Sequence, residues 1–198
     1  MNRISKQPEV RKKEILETAK KIFLEKGYEK TSMSDIANEL KITQGLCYRY
    51  FKSKQELFET AIDEYANECS AKYINIINDK NKNCIEKIEI IFNMMIELEN
   101  CNGSGSDYHK KGNKVLHEQL ELKILMTIKG AAKDFLIDLQ NEGFCEKIDN
   151  VDSMISFILY GIFGVLKCNN INTQEKFDSI VKYLSSVLGI EIKNIVSK

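Results

Sequence analysis

Turn-forming residues are scarce in this sequence. The 198 residues include one proline and ten glycines, and tryptophan is absent. So few turn formers exclude a β protein built from many short strands. Hydrophobic residues make up 43% of the chain, which excludes a disordered protein. The length is sufficient for one or two domains with a buried core.

Motifs that mark enzymes or metal sites are also missing. The sequence has no glycine-rich phosphate loop, no HExxH motif and no serine–histidine–aspartate pattern. Its two histidines, His109 and His117, could join Cys101 and Asp107 around a metal ion, yet this spacing fits no established ligand pattern. We therefore expect no enzyme, no resident metal and no cofactor.

The cysteines form no CxxC pair, and no signal peptide precedes the charged residues at the start of the chain. Scattered thiols of this kind predict a reducing compartment, the cytoplasm. Their simplest role is as small core residues. The alternative is a thiol-responsive protein, for which Cys47 and Cys101 are the candidates. The six cysteines are Cys47, Cys69, Cys84, Cys101, Cys145 and Cys168.

Apolar residues recur with the period of an α-helix along the whole chain, which predicts an all-α fold. The first helix begins at Pro8 and ends before Gly27. Ser32 and Asp35 form a capping pair at the start of the second helix.

A short third helix follows Thr43, a candidate N-cap, and reaches about Phe51. A capping box, Ser53 to Glu56, then opens a long fourth helix. Three helices in about fifty residues, the last two of them joined by a tight turn, predict a helix-turn-helix domain over residues 1–52. Residues 53–198 are expected to form a second, helical domain with a loop at 101–113 and a last helix capped by Thr173.

The longest apolar stretch, residues 154–166, is too short to cross a membrane. A helix that is apolar on all sides must be covered all round. A second copy of this helix would cover its outer side, and two glycines would let the backbones approach closely. With the apolar stripe of the final helix, this pattern predicts a homodimer. The expected interface residues are Phe157, Tyr160, Gly161, Gly164, Phe177, Ile180, Val181 and Leu184.

The formal net charge of zero hides an uneven distribution. Residues 1–55 carry 13 basic and 7 acidic side chains, a net charge of +6, whereas residues 56–198 carry 16 and 22, a net charge of −6. A basic patch on a compact helical motif is typical of proteins that bind nucleic-acid phosphates. The first domain is therefore a candidate DNA-binding domain.

The third helix has the pattern of a recognition helix. Cys47 and Phe51 are four residues apart and would face the core. The remaining side chains would then face outward, where an amide at Gln44 suits adenine and Leu46 could contact a thymine methyl. The tyrosine hydroxyls suit phosphate oxygens.

Residues 11–65 resemble the DNA-binding region of the tetracycline-repressor (TetR/AcrR-like) family, and they cover about a quarter of the chain. This sequence departs from the family pattern at Leu46, where a small polar residue is common, and at Cys47, where leucine is usual. The matching groups, in order, are Ile15-Leu16 to Ala19, Phe23, Lys26-Gly27-Tyr28, Thr31-Ser32, Asp35-Ile36-Ala37, Ile42-Thr43-Gln44-Gly45, Tyr48-Arg49-Tyr50-Phe51, Ser53-Lys54 and Glu56-Leu57.

The resemblance implies a homodimeric transcriptional regulator, most simply a repressor, that binds a palindromic double-stranded DNA operator and is released by a small molecule. The phosphate contacts would be Ser32 or Ser34, Thr43, Tyr48, Tyr50 and Lys54. The base contacts would be Gln44, Gly45, Leu46 and Arg49.

The resemblance also places a ligand pocket in the second domain. We expect no association with a membrane. A thiol- or metal-responsive DNA-binding regulator is the alternative. The residues expected to line the pocket are Met94, Met95, Leu98, Tyr108, His117, Leu120, Met126, Phe135 and Phe163.

Overall fold

The computed structural model describes the backbone of residues 7–101, 114–168 and 170–190, with the side chains of these residues apart from 98–101 and 114–118. All regular structure in the described ranges is helical, which confirms the all-α prediction. The predicted loop at 101–113 lies outside these ranges except for its first residue, Cys101. That residue is the last of α5. The helices are α1 (Pro8–Lys26), α2 (Met33–Glu39), α3 (Gln44–Tyr50), α4 (Lys54–Ile77), α5 (Cys84–Cys101), α6 (Lys114–Asn141), α7 (Val151–Leu166) and α8 (Thr173–Leu188).

The described residues form two compact units. Residues 7–68 and 114–123 belong to unit 1, and residues 69–101, 124–168 and 170–190 belong to unit 2. The sequence predicted a boundary after residue 52, before α4 begins. The division falls later because the first half of α4 packs into the core of unit 1, where Leu57 and Ala61 are fully buried.

The core of unit 1 is made by the apolar faces of α1 to α4. The side chains of Ile15, Phe23 and Ile36 are fully buried there. Phe23 also packs edge-on against Phe58 of α4, with ring centroids 5.1 Å apart. Side chains from all four helices are buried in one cluster. This shared burial explains why α2 and α3 can form although each has only seven residues.

The predicted capping pair at α2 is confirmed. The Ser32 hydroxyl accepts a hydrogen bond from the Asp35 amide at 3.1 Å, and the Asp35 carboxylate accepts one from the Ser32 amide at 2.8 Å. Hydrogen bonds from the Ser32 hydroxyl and amide lower the pKa of Asp35. At α4 the arrangement differs from a closed box, because the Glu56 carboxylate accepts from the amide of Lys52 instead of Ser53.

A buried ion pair joins α1 to α4 within unit 1. Lys20 is only 8% exposed, and its Nζ lies 2.8 Å from Oε1 of Glu68 and 2.9 Å from Oε2 of Glu17. Burial lowers the pKa of Lys20, but hydrogen bonds to the two carboxylates outweigh this and raise it overall. Removing Lys20 would leave the carboxylates of Glu17 and Glu68 without this cation, whereas removing Glu68 would leave Lys20 paired with Glu17 alone.

Unit 2 has its own core, to which α5, α6, α7 and α8 contribute. Asn150 caps α7 by accepting from the Ser153 amide at 2.9 Å. At α8 the cap is Asn172, in a capping box with Glu175, and the predicted cap Thr173 is instead the first helical residue. None of the described helices is both long enough and apolar enough to span a bilayer.

The turn after α1 depends on Gly27. Its backbone has φ 81° and ψ 167°, a region that is accessible essentially only to glycine, and its carbonyl accepts a hydrogen bond from the buried Thr31 hydroxyl at 2.7 Å. We expect Gly27→Ala to lower the free energy of unfolding by about 1–3 kcal/mol. Urea unfolding followed by circular dichroism measures this change.

Gly45→Ala is the matched control, because Gly45 is helical and a Cβ there would meet no atom within 4 Å. This substitution should stabilise the helix by about 1 kcal/mol or less. A Gly27→Ala variant as stable as the unaltered protein would contradict the assignment of strain at this turn.

Candidate functional site

Helix α3 is held in place by two side chains. Cys47 and Phe51 are 0% and 1% exposed, and both belong to the core of unit 1. The Phe51 amide donates to the Cys47 carbonyl at 3.0 Å, which closes the helix. Because a seven-residue helix is not stable alone in water, these contacts fix its orientation.

The opposite side of α3 faces solvent. Gln44, Gly45, Tyr48 and Arg49 are all exposed, and Tyr48 retains 46% of its accessible surface. Leu46 and Tyr50 are half-buried. Of the residues predicted to contact bases, Gln44, Gly45 and Arg49 are therefore exposed, whereas Leu46 is less exposed than predicted. We call Gln44, Gly45, Tyr48 and Arg49 the exposed face of α3.

The turn between α2 and α3 is tightly closed. The Ile42 amide donates to the Ala37 carbonyl at 2.9 Å, and the Lys41 amide donates to the Asn38 carbonyl at 3.0 Å. Lys41 adopts a positive φ of 54°, as expected for the residue after the end of a helix in such a turn. Thr43 is the N-cap residue of α3, but its exposed hydroxyl makes no capping hydrogen bond.

The two serines expected to contact phosphate are in different states. The Ser32 hydroxyl donates its single proton to the Asp35 carboxylate at 2.6 Å. It cannot donate to a phosphate while that bond persists. Ser34 lies exposed in the first turn of α2, which favours Ser34 of the two alternatives.

Lys54 is bound to the protein itself. Its Nζ donates to the Tyr28 carbonyl at 2.9 Å and lies 3.9 Å from the centroid of the Tyr28 ring. The side chain thus ties the start of α4 to the loop after α1. Sequence reasoning missed this contact because no local spacing relates two residues 26 positions apart.

The surface around α3 is strongly basic. Residues 40–55 contain four cations and no aspartate or glutamate. This acid-free segment, residues 40–55, includes the turn before α3, all of α3 and the first residues of α4. Its potential is positive and suits a polyanion. The four cations are Lys41, Arg49, Lys52 and Lys54.

Three of the described thiols, Cys47, Cys84 and Cys145, are poorly suited to redox sensing. Burial raises the pKa of the Cys47 thiol and of the Cys145 thiol. Burial, assisted by a hydrogen bond with Glu142, raises the pKa of Cys84 to about 12. These three cysteines therefore carry little of the reactive thiolate at neutral pH.

The predicted metal candidates all fall outside the described side chains. Asp107 and His109 lie outside the described residues, as do the side chains of Cys101 and His117. Within the described part of the chain, the carboxylates of Glu17, Glu64 and Glu68 come within 4.8 Å of one another. Lys20 sits among them, hydrogen-bonded to Glu17 and Glu68, and supplies the positive charge that this group requires.

The described residues among those expected to line a ligand pocket differ in burial. Met126 is 70% exposed, whereas Leu120 is buried and belongs to unit 1. Met95 and Phe135 pack against the core of unit 2. The predicted set spread over both units because it was chosen by helix and not by the face of each helix. Of the others, Met94 and Phe163 are half-buried, whereas Tyr108 and the side chains of Leu98 and His117 fall outside the described residues.

Helix α7 carries an exposed stripe of large and small residues. Phe157 and Tyr160 are 65% and 53% exposed, and Gly161 and Gly164 continue the same side of the helix. We call these four residues the α7 stripe. Spacings of three, four and seven residues place them on one face.

The expected interface on α8 needs correction. Phe177, Ile180 and Val181 are 3%, 2% and 7% exposed because they fill the core of unit 2, so a second copy could bury them no further. Leu184 is half-buried. The exposed apolar residues of α8 are Tyr183 and Val187.

Comparison with known proteins gives a family for this geometry. The family model described as bacterial regulatory proteins, tetR family, matches residues 15–61, which run from α1 into α4. The uncharacterised HTH-type transcriptional regulator YuxN of Bacillus subtilis is 28% identical over 162 residues, covering 80% of this chain and 54% of its own length. The HTH-type transcriptional repressor KstR2 of Mycobacterium tuberculosis is 32% identical over 92 residues, covering 46% of each chain.

The fold of the chain is also found among solved structures. A TetR-family transcriptional regulator from Agrobacterium tumefaciens superposes with a TM-score of 0.59 over 92% of this chain and 99% of its own, at 16% identity. This likeness confirms the predicted fold class.

The chain spans about half the length of the curated relatives that it matches. The matched family and these relatives are transcriptional regulators and not enzymes, as the sequence predicted. The helix-turn-helix of α2 and α3 lies within residues 15–61, and this segment is similar to the tetR family of bacterial regulatory proteins.

Proposed function

We propose that this protein is a ligand-responsive repressor of transcription that binds a palindromic double-stranded operator as a homodimer. The observation that carries this proposal is the exposed face of α3, which is anchored from behind by Cys47 and Phe51. It lies within a segment of 16 residues that has four cations and no acid. An α-helix of this kind fits the major groove of B-DNA.

The base contacts would come from the exposed face of α3. The Gln44 amide can form a bidentate pair with adenine, and Arg49 can do so with guanine. Gly45 presents no side chain, so the backbone can approach the base edges closely. Leu46 is half-buried and would reach a thymine methyl only with the outer part of its side chain.

The phosphate contacts would surround this face. The hydroxyls of Ser34, Thr43, Tyr48 and Tyr50 can donate to phosphate oxygens, and these contacts set the position of α3 without reading sequence. Lys54 would contribute mainly by holding α4 against the loop after α1, as its hydrogen bond to Tyr28 indicates.

Dimerisation would use the α7 stripe together with Tyr183 and Val187, the exposed apolar residues of α8. Large exposed apolar patches mark interaction surfaces. A twofold interface brings the same patch from both subunits together, and it would place two α3 helices on half-sites one helical turn, about 34–36 Å, apart. A palindromic operator follows from that symmetry.

Regulation would follow from unit 2. A small molecule that binds better to the free conformation than to the DNA-bound one releases the operator by its differential affinity. The protein would act in the cytoplasm, where its operator lies. The raised pKa values of Cys47, Cys84 and Cys145 give no support to a thiol-responsive alternative.

Gln44 offers a direct test of DNA reading. In vitro selection from a random duplex library should enrich a palindrome with the unaltered protein, and Gln44→Ala should lose preference at one position in each half-site. The expected cost at that position is about 1–3 kcal/mol, measured by competition between duplexes that differ only there.

Glu59→Ala is the matched control, because Glu59 is an exposed residue of α4 outside the acid-free segment. It should leave the selected sequence unchanged. No enriched sequence with the unaltered protein, or the same profile with Gln44→Ala, would refute the proposed recognition.

Gly164 allows a clean test of the dimer. A Cβ at Gly164 meets no atom within 4 Å, so Gly164→Asp should leave the fold of one subunit intact while placing a charge in the proposed interface. Sedimentation should show a dimer for the unaltered protein and a monomer for this variant.

Gly130→Asp provides the comparison, since Gly130 is an exposed and equally open glycine on α6. That variant should remain dimeric. A Gly164→Asp protein that sediments as a dimer would reject the α7 stripe as the interface.

A further inference from the structure

Apart from Arg49 of α3, the cations between residues 7 and 55 divide into two groups. Eleven lysines and arginines lie between residues 7 and 55. Three of them, Arg11, Lys20 and Lys54, donate to acceptors of the protein itself. Seven of the others are exposed outside α3, namely Lys12, Lys13, Lys21, Lys26, Lys30, Lys41 and Lys52.

Lys12 differs from the other exposed lysines of α1 in its position. Its Nζ lies 5.6 Å from the centroid of the Phe51 ring, although the two residues are 39 positions apart. Phe51 directly follows the last residue of α3 and is 1% exposed. Helix α1 therefore brings a cation to the carboxyl-terminal end of α3, beside the acid-free segment.

The surroundings of Lys12 leave its charge available. Among the residues that the structure describes, no carboxylate lies within ion-pair distance of Lys12 or of Lys52, the residue that follows Phe51. The aliphatic stem of a lysine can cover an aromatic ring while its ammonium remains in water. The Lys12 ammonium thus lies near the Phe51 ring, and no carboxylate in the described part of the chain neutralises its charge.

We propose that Lys12, together with Lys52, the residue after Phe51, binds a backbone phosphate of DNA beside the half-site that α3 contacts. This inference rests on the proposed DNA-binding function and extends its contact surface to α1. A compact, flexible ammonium is suited to a phosphate, and such contacts add affinity without reading sequence. Phe51, which anchors α3, then also positions the Lys12 ammonium.

A purely structural role for Lys12 makes a different prediction. If Lys12 only covers Phe51, its stem matters and its charge does not. Lys12→Met retains a long apolar stem and removes the charge, whereas Lys12→Ala removes both. Comparison of these two variants separates the contribution of packing from that of charge.

The experiment measures the affinity of each variant for the duplex enriched by in vitro selection with the unaltered protein, over a series of potassium chloride concentrations. For Lys12→Met we expect an unchanged melting temperature. The slope of log affinity against log salt should fall in magnitude by about two for a dimer that loses one phosphate contact in each subunit. The binding-site profile should stay the same.

Lys21→Met is the matched control on the same helix. Lys21 is exposed and lines the groove between α1 and α2 together with Glu25 and Asp35, so it should leave the salt dependence unchanged.

Two results would overturn the proposal for Lys12: a Lys12→Met slope equal to that of the unaltered protein, or an equal fall with Lys21→Met. Loss of melting temperature with Lys12→Met at an unchanged slope would assign Lys12 to packing alone. Failure of the unaltered protein to enrich any duplex would instead reject the proposed function itself.

Discussion

The burial of Cys47 and Phe51 is the constraint on which the rest of the DNA-binding unit depends. A helix as short as α3 has too few internal hydrogen bonds to persist alone. Its conformation and direction are therefore set by these two side chains in the core formed by α1, α2 and α4. Because they occupy one side of the helix, every other side chain of α3 is turned toward solvent or the edge of the core.

Charge in the same unit serves two physical purposes. Lys20 is buried, pairs with two partly exposed carboxylates and holds α1 to α4, and Lys54 donates to the Tyr28 carbonyl. These cations stabilise the scaffold, and their ammonium groups already donate hydrogen bonds within the protein. Arg49 and Lys12 are exposed and have no such partner among the described residues, so their charge contributes to the surface around α3. A count of basic residues does not separate the two groups.

Local patterns in the sequence were sufficient for the elements and for the orientation of α3. Pro8, the Ser32–Asp35 pair and the four-residue spacing of Cys47 and Phe51 each depend on neighbours within one turn, and the structure has them as predicted. Contacts between residues far apart in the sequence could not be predicted from such local patterns. The bond from Lys54 to Tyr28 and the approach of Lys12 to Phe51 arise only from the packing of helices.

The second unit shows the same limit. The apolar pattern of α8 predicted one inward stripe, and the interface residues were chosen from it. Those residues form the core of unit 2 because α8 has to bury its most apolar face within its own chain before it can meet another. Tyr183 and Val187, which were not among the chosen interface residues, are the apolar residues of α8 that remain exposed.

The central claim is that the exposed face of α3 meets DNA, and hydrogen–deuterium exchange with the selected duplex tests it most directly. Peptides from residues 41–54 should exchange more slowly when the duplex is bound, and high salt should restore the original rates as DNA is released. Tight binding of the duplex with unchanged exchange at residues 41–54, and protection only elsewhere, would contradict the account.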